Sequence, residues 1–213
     1  MRAEVEEAVA VANVVRAKPV TLKDQVWREV LSWFWVIVAF LLIEGTLVQA
    51  RVIPSGSMER TVLIGDHLIV SRIGYDAGVP FTDWHVPLWR EPKRQQIIVF
   101  RAPLPGNPDF IKRVIGLPGD TILVKNGTVY VNGEALDESY IHYPATYTYP
   151  FDGQPRQVPD GNYFVLGDNR PNSSDSHLGW FVPVENFIGK AWISYWPPAS
   201  WGLMPGGSAV YAR

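Results

Sequence analysis

The feature that most constrains this chain is a long apolar run close to its N-terminus. Residues 30–43 contain one clearly polar residue, Ser32, and after Glu44 and Gly45 the apolar character continues through Val48. A run of this length is just sufficient to cross the hydrocarbon core of a bilayer, which is about 30 Å thick. The segment must therefore be buried in protein, lie in lipid, or be removed from the mature chain.

Three interpretations of the run compete: a buried helix of a soluble domain, a cleaved secretory signal and a retained transmembrane anchor. A buried helix is more often amphipathic. Small residues after the run suit signal cleavage, but the polar region before it, residues 1–29, and the run itself are longer than a secretory signal needs. Trp27, Trp33 and Trp35 cluster at its start, as in an aromatic belt. We therefore predict a transmembrane anchor over residues 30–50.

Charge and composition limit the topology, the chemistry and the partners that the protein can have. Lys and Arg are slightly more frequent before the run than just after it, which predicts a cytoplasmic N-terminal segment, residues 1–29, and an extracytoplasmic domain, residues 51–213. The sequence has no Cys, which excludes disulfides, thiol catalysis and zinc sites built on cysteine. Its 19 Lys and Arg against 21 Asp and Glu argue against a nucleic-acid partner.

The chain after the run has the pattern of short strands separated by turns. The 18 Gly and 18 Pro residues bound β-branched and aromatic segments. The clearest hairpin covers residues 121–131, where Asn126 and Gly127 suit a type I′ turn. Other predicted strands cover residues 66–73, 96–101, 110–115, 163–166 and 190–196. We predict a mostly β fold of antiparallel sheets, preceded by one N-terminal transmembrane helix.

Two single residues are candidates for chemistry. Ser57 lies in Ile-Pro-Ser-Gly-Ser-Met-Glu at 53–59, where Pro and Gly fix a tight backbone of the kind that holds a nucleophile and oxyanion donors. An ordinary turn explains the same pattern. Lys112 shares one face of a predicted strand with Phe110 and Val114. It can act as a general base if burial lowers its pKa by about 2–3 units, or it can simply extend its amine to water.

A third candidate is a dense polar cluster after a predicted strand, within residues 167–179. It contains Asp168, Asn169, Arg170, Ser173, Asp175, Ser176 and His177. Side chains of this kind also hold ordinary loops together through bonds to the backbone. The four His residues are too scattered for a local metal motif, and H-E-x-x-H and a phosphate-binding glycine loop are absent. A Ser-His-Asp triad that uses His67 or His177 stays open, because triads depend on geometry.

Taken in order, these segments resemble the bacterial type I signal peptidases, the membrane-bound Ser/Lys leader peptidases. Besides the anchor, the matching segments are residues 53–58, 63–66, 92–94, 98–100, 111–120, 167–170, 172–173, 175–176 and 189–192. The resemblance implies an antiparallel β-sheet catalytic domain with a β-rich insertion at about 121–162. It implies no cofactor and no metal.

The resemblance also implies a role for each matching residue. Ser57 is expected to be the nucleophile and Lys112 the general base, while the Ser55 hydroxyl and the Ser57 backbone N–H form the oxyanion hole. The supporting residues are expected to be Gly167, Arg170, Ser173 and Asp175. Ser173 is expected to orient the Lys112 amine, and Gly167 to allow close backbone approach.

Three departures from the family pattern involve four positions. Arg60 stands where proline is usual, and Gln95 and Gln96 replace a usual Gly-Asp. His177 stands where arginine is common, so its pairing with Asp175 is expected to be weaker and pH-dependent.

The function that the resemblance implies is a membrane-anchored serine endopeptidase of the bacterial cytoplasmic membrane. Its partners are then the signal peptides of exported preproteins and the lipid bilayer. A specialised Ser/Lys protease with one substrate, and a non-catalytic tethered β domain that binds exported chains, stay open as alternatives. Val52, Ile53 and Met58 are candidates to line shallow apolar pockets. Candidates for a membrane-contacting rim are Phe81, Trp84, Trp89, Trp196 and Trp201.

Overall fold

The computed structural model describes residues 21–75, 77–78, 85–86 and 90–204. Two compact units divide the chain between Leu41 and Leu42. Residues 1–20 and the rim candidates Phe81, Trp84 and Trp89 lie outside the described residues.

The described part of the first unit is helical. Helix α1 runs from Leu22 to Thr46, and its last residues fall in the second unit. Its start is capped by Thr21 and Asp24, since Thr21 Oγ1 accepts a hydrogen bond from the Asp24 N–H (3.2 Å) and the Asp24 carboxylate accepts one from the Thr21 N–H (3.2 Å). Large apolar side chains along the helix are exposed, among them Trp33 and Phe40.

The predicted anchor and the observed helix differ in their bounds. The helix begins well before residue 30, and it ends at Thr46 because residues 48–52 pair as a strand. The last residues of the predicted anchor, 48–50, are therefore β structure rather than helix. In the part of the chain that the structure describes, no helical segment combines the length and the apolar character that a membrane span requires.

The second unit is built from short antiparallel strands, which confirms the mostly β fold. The strands are β1 (Val48–Val52), β2 (His67–Ser71), β3 (Ala77–Gly78), β4 (His85–Val86), β5 (Ile97–Arg101), β6 (Asp109–Gly116), β7 (Thr121–Lys125), β8 (Thr128–Val131), β9 (Glu134–Ala135), β10 (Arg156–Gln157), β11 (Asn162–Leu166), β12 (Val182–Pro183), β13 (Phe187–Trp196) and β14 (Gly202–Leu203). Each predicted strand coincides with one of these. At the 121–131 hairpin, Asn126 and Gly127 both have positive φ (52° and 78°), as a type I′ turn requires.

Two sheets carry most of the unit. The larger sheet has the order β1-β2-β13-β5-β6-β11-β12, with β14 on β13. The smaller sheet, β10-β7-β8-β9, lies entirely within the region 121–162. Three buried apolar clusters pack the strands, and one of them joins Ile53 and Met58 to Ile111.

Strand register leaves two edges of the larger sheet without a partner strand among the described strands. β6 pairs with β5 from Asp109 to Arg113, whereas β11 pairs with β6 only at residues 113–116. The segment 109–112 therefore has a strand on one side alone among the described strands. β1 likewise ends the larger sheet and pairs with β2 only.

Candidate active site

Ser57 is held by a short 3-10 helix, Gly56–Met58, that follows an extended residue, Ser55. Met58 is fully buried in the core and anchors this turn, while Ser57 is 6% exposed. The Asn169 N–H donates a hydrogen bond to the Ser57 carbonyl (3.0 Å), and the Asn169 amide donates one to the Gly56 carbonyl (3.1 Å). The turn is thus fixed from the core on one side and from the loop after β11 on the other.

The Lys112 amine lies within hydrogen-bond distance of the Ser57 hydroxyl. Its Nζ is 2.7 Å from Ser57 Oγ and 3.1 Å from the Ile111 carbonyl oxygen. As predicted, Lys112 shares a face of β6 with Phe110, whose ring centroid is 4.9 Å from Nζ. The strand alternation of β6 therefore brings the two residues that the sequence singled out into direct contact.

Burial sets the charge state of this amine. Lys112 is 3% exposed, and the loss of hydration lowers the pKa of its amine to about 8, although Asp175 and Asp168 oppose the shift by their negative charges. Among the described residues, no carboxylate lies within ion-pair distance of Nζ. A substantial fraction of Lys112 is therefore neutral at mildly alkaline pH.

Gly167 forms the close backbone contact behind the nucleophile. A Cβ atom built at this position would lie 2.2 Å from Ser173 Oγ and 2.5 Å from the Ser57 carbonyl oxygen. Only glycine leaves room for this approach, because real Cβ contacts are essentially never below 3.0 Å. The loop after β11 consequently packs directly against the backbone of Ser57.

No histidine bonds to Ser57 within the described part of the chain. His177 Nδ1 is 2.7 Å from Asp175 Oδ1, and its ring stacks on Tyr147 at 4.0 Å between centroids. His67 contacts Tyr195. The geometry therefore gives a Ser/Lys pair and no Ser-His-Asp triad.

Comparison with known proteins gives the family of the chain. The family model described as signal peptidase, peptidase S26, matches residues 26–196. The chain is 40% identical to a probable signal peptidase I-2 of Synechocystis sp. over 90% of this chain and 85% of that one. It is 42% identical to the signal peptidase I of Leptolyngbya laminosa (76% and 75%), and 34% identical to that of Pseudomonas aeruginosa (84% and 76%).

The chain belongs to the signal peptidase family, peptidase S26. It is a peptidase of mostly antiparallel β structure.

The buried carboxylate of Asp175 organises the loop of this signal peptidase. It accepts hydrogen bonds from the backbone N–H groups of Gly167 (2.9 Å) and His177 (3.2 Å), as well as the contact with the His177 ring. The predicted pairing of Asp175 with His177 is therefore present. Through Gly167 it fixes the segment that packs on Ser57.

Arg170 supports the same loop from a fully buried position. Its Nε donates a hydrogen bond to the Gly167 carbonyl (3.0 Å), and its other nitrogens bind both oxygens of Glu138. Glu138 lies in the region 121–162 and carried no signal in the sequence, because an acidic residue in a polar loop is ordinary.

A second buried ion pair was also missed by sequence reasoning. Arg113 donates two hydrogen bonds to Asp168, through Nε to Oδ1 (2.9 Å) and through Nη2 to Oδ2 (2.6 Å). The Thr61 hydroxyl donates a third to Asp168 Oδ2 (2.6 Å). This pair ties β6 to the loop after β11 and to the segment that follows Ser57.

The hydroxyls of Ser55 and Ser173, which have predicted roles, are close to the site but make fewer hydrogen bonds than expected. Ser55 Oγ is 3.5 Å from Ser57 Oγ, on an exposed residue next to the cleft. Ser173 Oγ is buried and has no hydrogen-bond partner among the described residues. The predicted bond from Ser173 to the Lys112 amine is therefore not formed in this structure.

A cleft of about 340 Å³ opens on Ser57 and Lys112. Its walls are residues 54–57, residues 109–112, Asn172 and Ser174. The predicted pocket lining by Ile53 and Met58 is wrong, since both side chains are buried in the core, and Val52 is exposed outside the cleft lining. Phe110 and Ile111 supply apolar surface in their place.

The family departures have local structural effects. Arg60 has a φ of 78°, which proline cannot adopt, so the turn after Met58 has a shape of its own in this chain. Gln95 has a φ of 64°, a conformation that suits the glycine usual at this position.

Within the described residues, no group of three or more His, Asp and Glu side chains is arranged to hold a metal ion.

Proposed function

We propose that this protein is a membrane-anchored serine endopeptidase that removes N-terminal signal peptides from exported preproteins. The observation that carries the proposal is the 2.7 Å contact between Lys112 Nζ and Ser57 Oγ in a buried site. The names of its relatives as signal peptidases support the substrate class. Ser57 is the nucleophile and Lys112 the general base.

The reaction follows from the two charge states of Lys112. With a neutral amine, the Ser57 hydroxyl donates its hydrogen bond to Nζ, so the proton passes to Lys112 as Oγ attacks the scissile carbonyl carbon. The Ser57 N–H and the Ser55 hydroxyl stabilise the oxyanion. Collapse of the intermediate breaks the C–N bond, and the Lys112 ammonium returns its proton to the leaving amine.

Deacylation repeats the sequence with water as the nucleophile. Neutral Lys112 takes a proton from the water that attacks the acyl ester, and then protonates Ser57 Oγ as the ester bond breaks. The support from Gly167, Arg170 and Asp175 keeps Ser57 and Lys112 at fixed separation through both steps. Ser173, whose hydroxyl is buried beside Gly167, completes this support by its packing.

The cleft supports extended binding of the substrate. Residues 109–112 of β6 leave backbone groups without a strand partner on the cleft side, so a peptide in β conformation can pair with them. Phe110 and Ile111 line the wall beside Ser57 and limit the side chains next to the scissile bond.

The membrane anchor stays a prediction and is now confined to the part of α1 from residue 30 to Thr46, with an inside N-terminus and a catalytic domain outside the cytoplasm. The exposed apolar side chains of α1 support it, as does the aromatic cluster of Trp33 and Trp35. Trp196 and Trp201 are also exposed on the second unit and remain candidates for contact with lipid.

Cleavage of a model preprotein by the purified full chain in detergent tests the catalytic proposal, with the cut site read by mass spectrometry. Ser57→Ala and Lys112→Arg should each abolish cleavage, because arginine keeps the charge but cannot become a neutral base. Lys125→Arg, at an exposed lysine, is the matched control. Full activity of Lys112→Arg would contradict the mechanism, and activity against one substrate only would favour the specialised protease.

Alkaline extraction of membranes from cells that express the chain tests the anchor. The wild type should stay in the membrane pellet, and a chain with Ile37→Asp and Phe40→Asp in α1 should shift to the extract, because charge is costly in hydrocarbon. Release of the wild type by alkali would overturn the transmembrane prediction.

A further inference from the structure

An ion pair that plays no part in the chemistry lies at one end of the cleft. Arg51 Nη2 of β1 is 2.8 Å from Asp109 Oδ2 of β6, and both side chains keep about a third of their exposure (35% and 33%). Arg51 Nη2 also donates a hydrogen bond to Gln49 (3.2 Å), and Arg51 Nε is buried without a partner among the described residues. Asp109 itself lines the cleft.

Strand alternation arranges the β6 wall of the cleft in two layers. Asp109 and Ile111 share one face of β6, and Arg51 contacts Asp109 from β1. Ile111 lines the cleft and packs in the same core cluster as Met58, the neighbour of Ser57, so the layer at the nucleophile is apolar. The next layer is the Arg51–Asp109 pair, so the polarity of the wall changes along the cleft.

The strand rise gives the distance between the two layers. Asp109 precedes Lys112 by three residues, which corresponds to about 10 Å along β6. An extended substrate has the same rise per residue, about 3.3 Å. The ion pair therefore lies level with the third or fourth substrate residue from the scissile bond.

Resting on the function proposed above, we propose that Asp109 and Arg51 form a charge-selective subsite for this distal substrate residue. Asp109 presents its carboxylate to the cleft, while Arg51 holds it from β1 and moderates its charge. The subsite favours a substrate side chain that is cationic or donates hydrogen bonds, and it disfavours Asp and Glu.

The test measures kcat/KM for one preprotein in which single residues are changed to Lys, Gln or Glu. The changes cover the second to fifth positions on each side of the cut. The wild type should prefer Lys to Glu by about fivefold at one position, three or four residues from the bond, as expected for a partly exposed charge pair. Asp109→Asn should remove this preference, and Arg51→Gln should increase it by about threefold because Asp109 is then uncompensated.

Two exposed charges serve as matched controls. Asp160→Asn and Lys125→Gln make the same changes in net charge away from the cleft and should leave the preference unaltered. Thermal melting of each variant separates loss of fold from loss of selectivity, and Arg51→Gln tests the subsite in the opposite direction to Asp109→Asn.

The outcomes separate this inference from the proposed function. Wild-type cleavage with the same Lys/Glu ratio in Asp109→Asn, Arg51→Gln and the controls would overturn the subsite alone. Absence of wild-type cleavage of every preprotein would overturn the proposed function and the subsite with it. A changed ratio only in the two cleft variants supports the subsite.

Discussion

Lys112 and Arg113 are adjacent cations on β6 that face opposite sides of the strand, and their environments differ. Arg113 is fully buried with a bidentate carboxylate partner, Asp168, at 2.6 and 2.9 Å. Lys112 is nearly as buried, but among the described residues its amine has hydrogen-bond partners only in a hydroxyl and a carbonyl oxygen. Arg113 therefore keeps its charge and joins segments of the fold, whereas the Lys112 amine is placed so that it loses its proton readily.

The pKa directions follow from this difference. Desolvation opposes the charge of both residues, but the Asp168 carboxylate outweighs it at Arg113 and raises the pKa of the guanidinium. At Lys112 the more distant Asp175 and Asp168 do not outweigh it, and the pKa falls to about 8. Substitution of Lys112 should therefore mainly affect cleavage, and substitution of Arg113 should mainly affect the stability of the fold.

The largest expected effect is on the catalytic face. Lys112→Met removes the proposed base while keeping an unbranched apolar side chain of similar length, so preprotein cleavage should fall by at least about 10³-fold. Single-turnover cleavage at high enzyme concentration measures the loss. Retention of more than a tenth of wild-type activity would show that another group takes the proton from Ser57.

The next effect is on the structural face. Arg113→Met leaves the Asp168 carboxylate buried without its cation, and the free energy of unfolding should fall by about 3–5 kcal/mol. Denaturant unfolding in detergent measures the change. The double variant Arg113→Met with Asp168→Leu should recover part of the loss, since it removes the stranded charge. Equal stability of wild type and Arg113→Met would contradict the structural role of this pair.

Lys112→Met should also raise stability, because it removes an amine whose burial opposes folding. Below pH 8 both folded and unfolded wild type carry the proton, and folding bears the full desolvation cost, up to about 3 kcal/mol for a pKa lowered from about 10.4 to about 8. Between about pH 8 and pH 10.4 the unfolded chain binds more protons, so wild-type stability rises with pH. The difference in the free energy of unfolding between Lys112→Met and the wild type should therefore shrink over this range. Denaturant unfolding at pH 7 and at pH 10 measures this change.

The smallest effect concerns the support behind Gly167. His177→Phe keeps an aromatic ring stacked on Tyr147 but removes the bond from Nδ1 to Asp175, so stability should fall by about 1 kcal/mol. Asp175 retains its two backbone donors, and cleavage should persist. Complete loss of activity in this variant would show that His177 acts in catalysis.

Local patterns predicted the strands and singled out Ser57 and Lys112 as candidates, and the family resemblance supplied their expected roles. Alternation in residues 110–115 placed Lys112 on one face with Phe110, and Asn126 with Gly127 defined a hairpin turn, because both signals depend on neighbouring residues only. The long-range partners were not accessible in the same way. Asp168 meets Arg113, and Glu138 meets Arg170, only after the sheets have assembled.

The wrong predictions also arise because local patterns do not show which distant residues will come into contact. Ile53 and Met58 are close to Ser57 in sequence, but both side chains pack in the core cluster of Ile111 instead of lining the cleft. The end of α1 was placed too late because Val48 is apolar, and apolar β-branched residues suit a strand as well as a membrane helix. Pairing with β2, which no local pattern reveals, decided between the two.

The central claim is that Lys112 carries an amine that is readily neutral in the folded protein. NMR titration of lysine ε-carbon signals in the labelled full chain tests it directly, with Lys112→Met identifying the signal. One resonance should titrate with a pKa near 8, well below the value of about 10.4 for a lysine in a model peptide, and be missing from the variant. A Lys112 resonance that titrates with the exposed lysines would contradict the account.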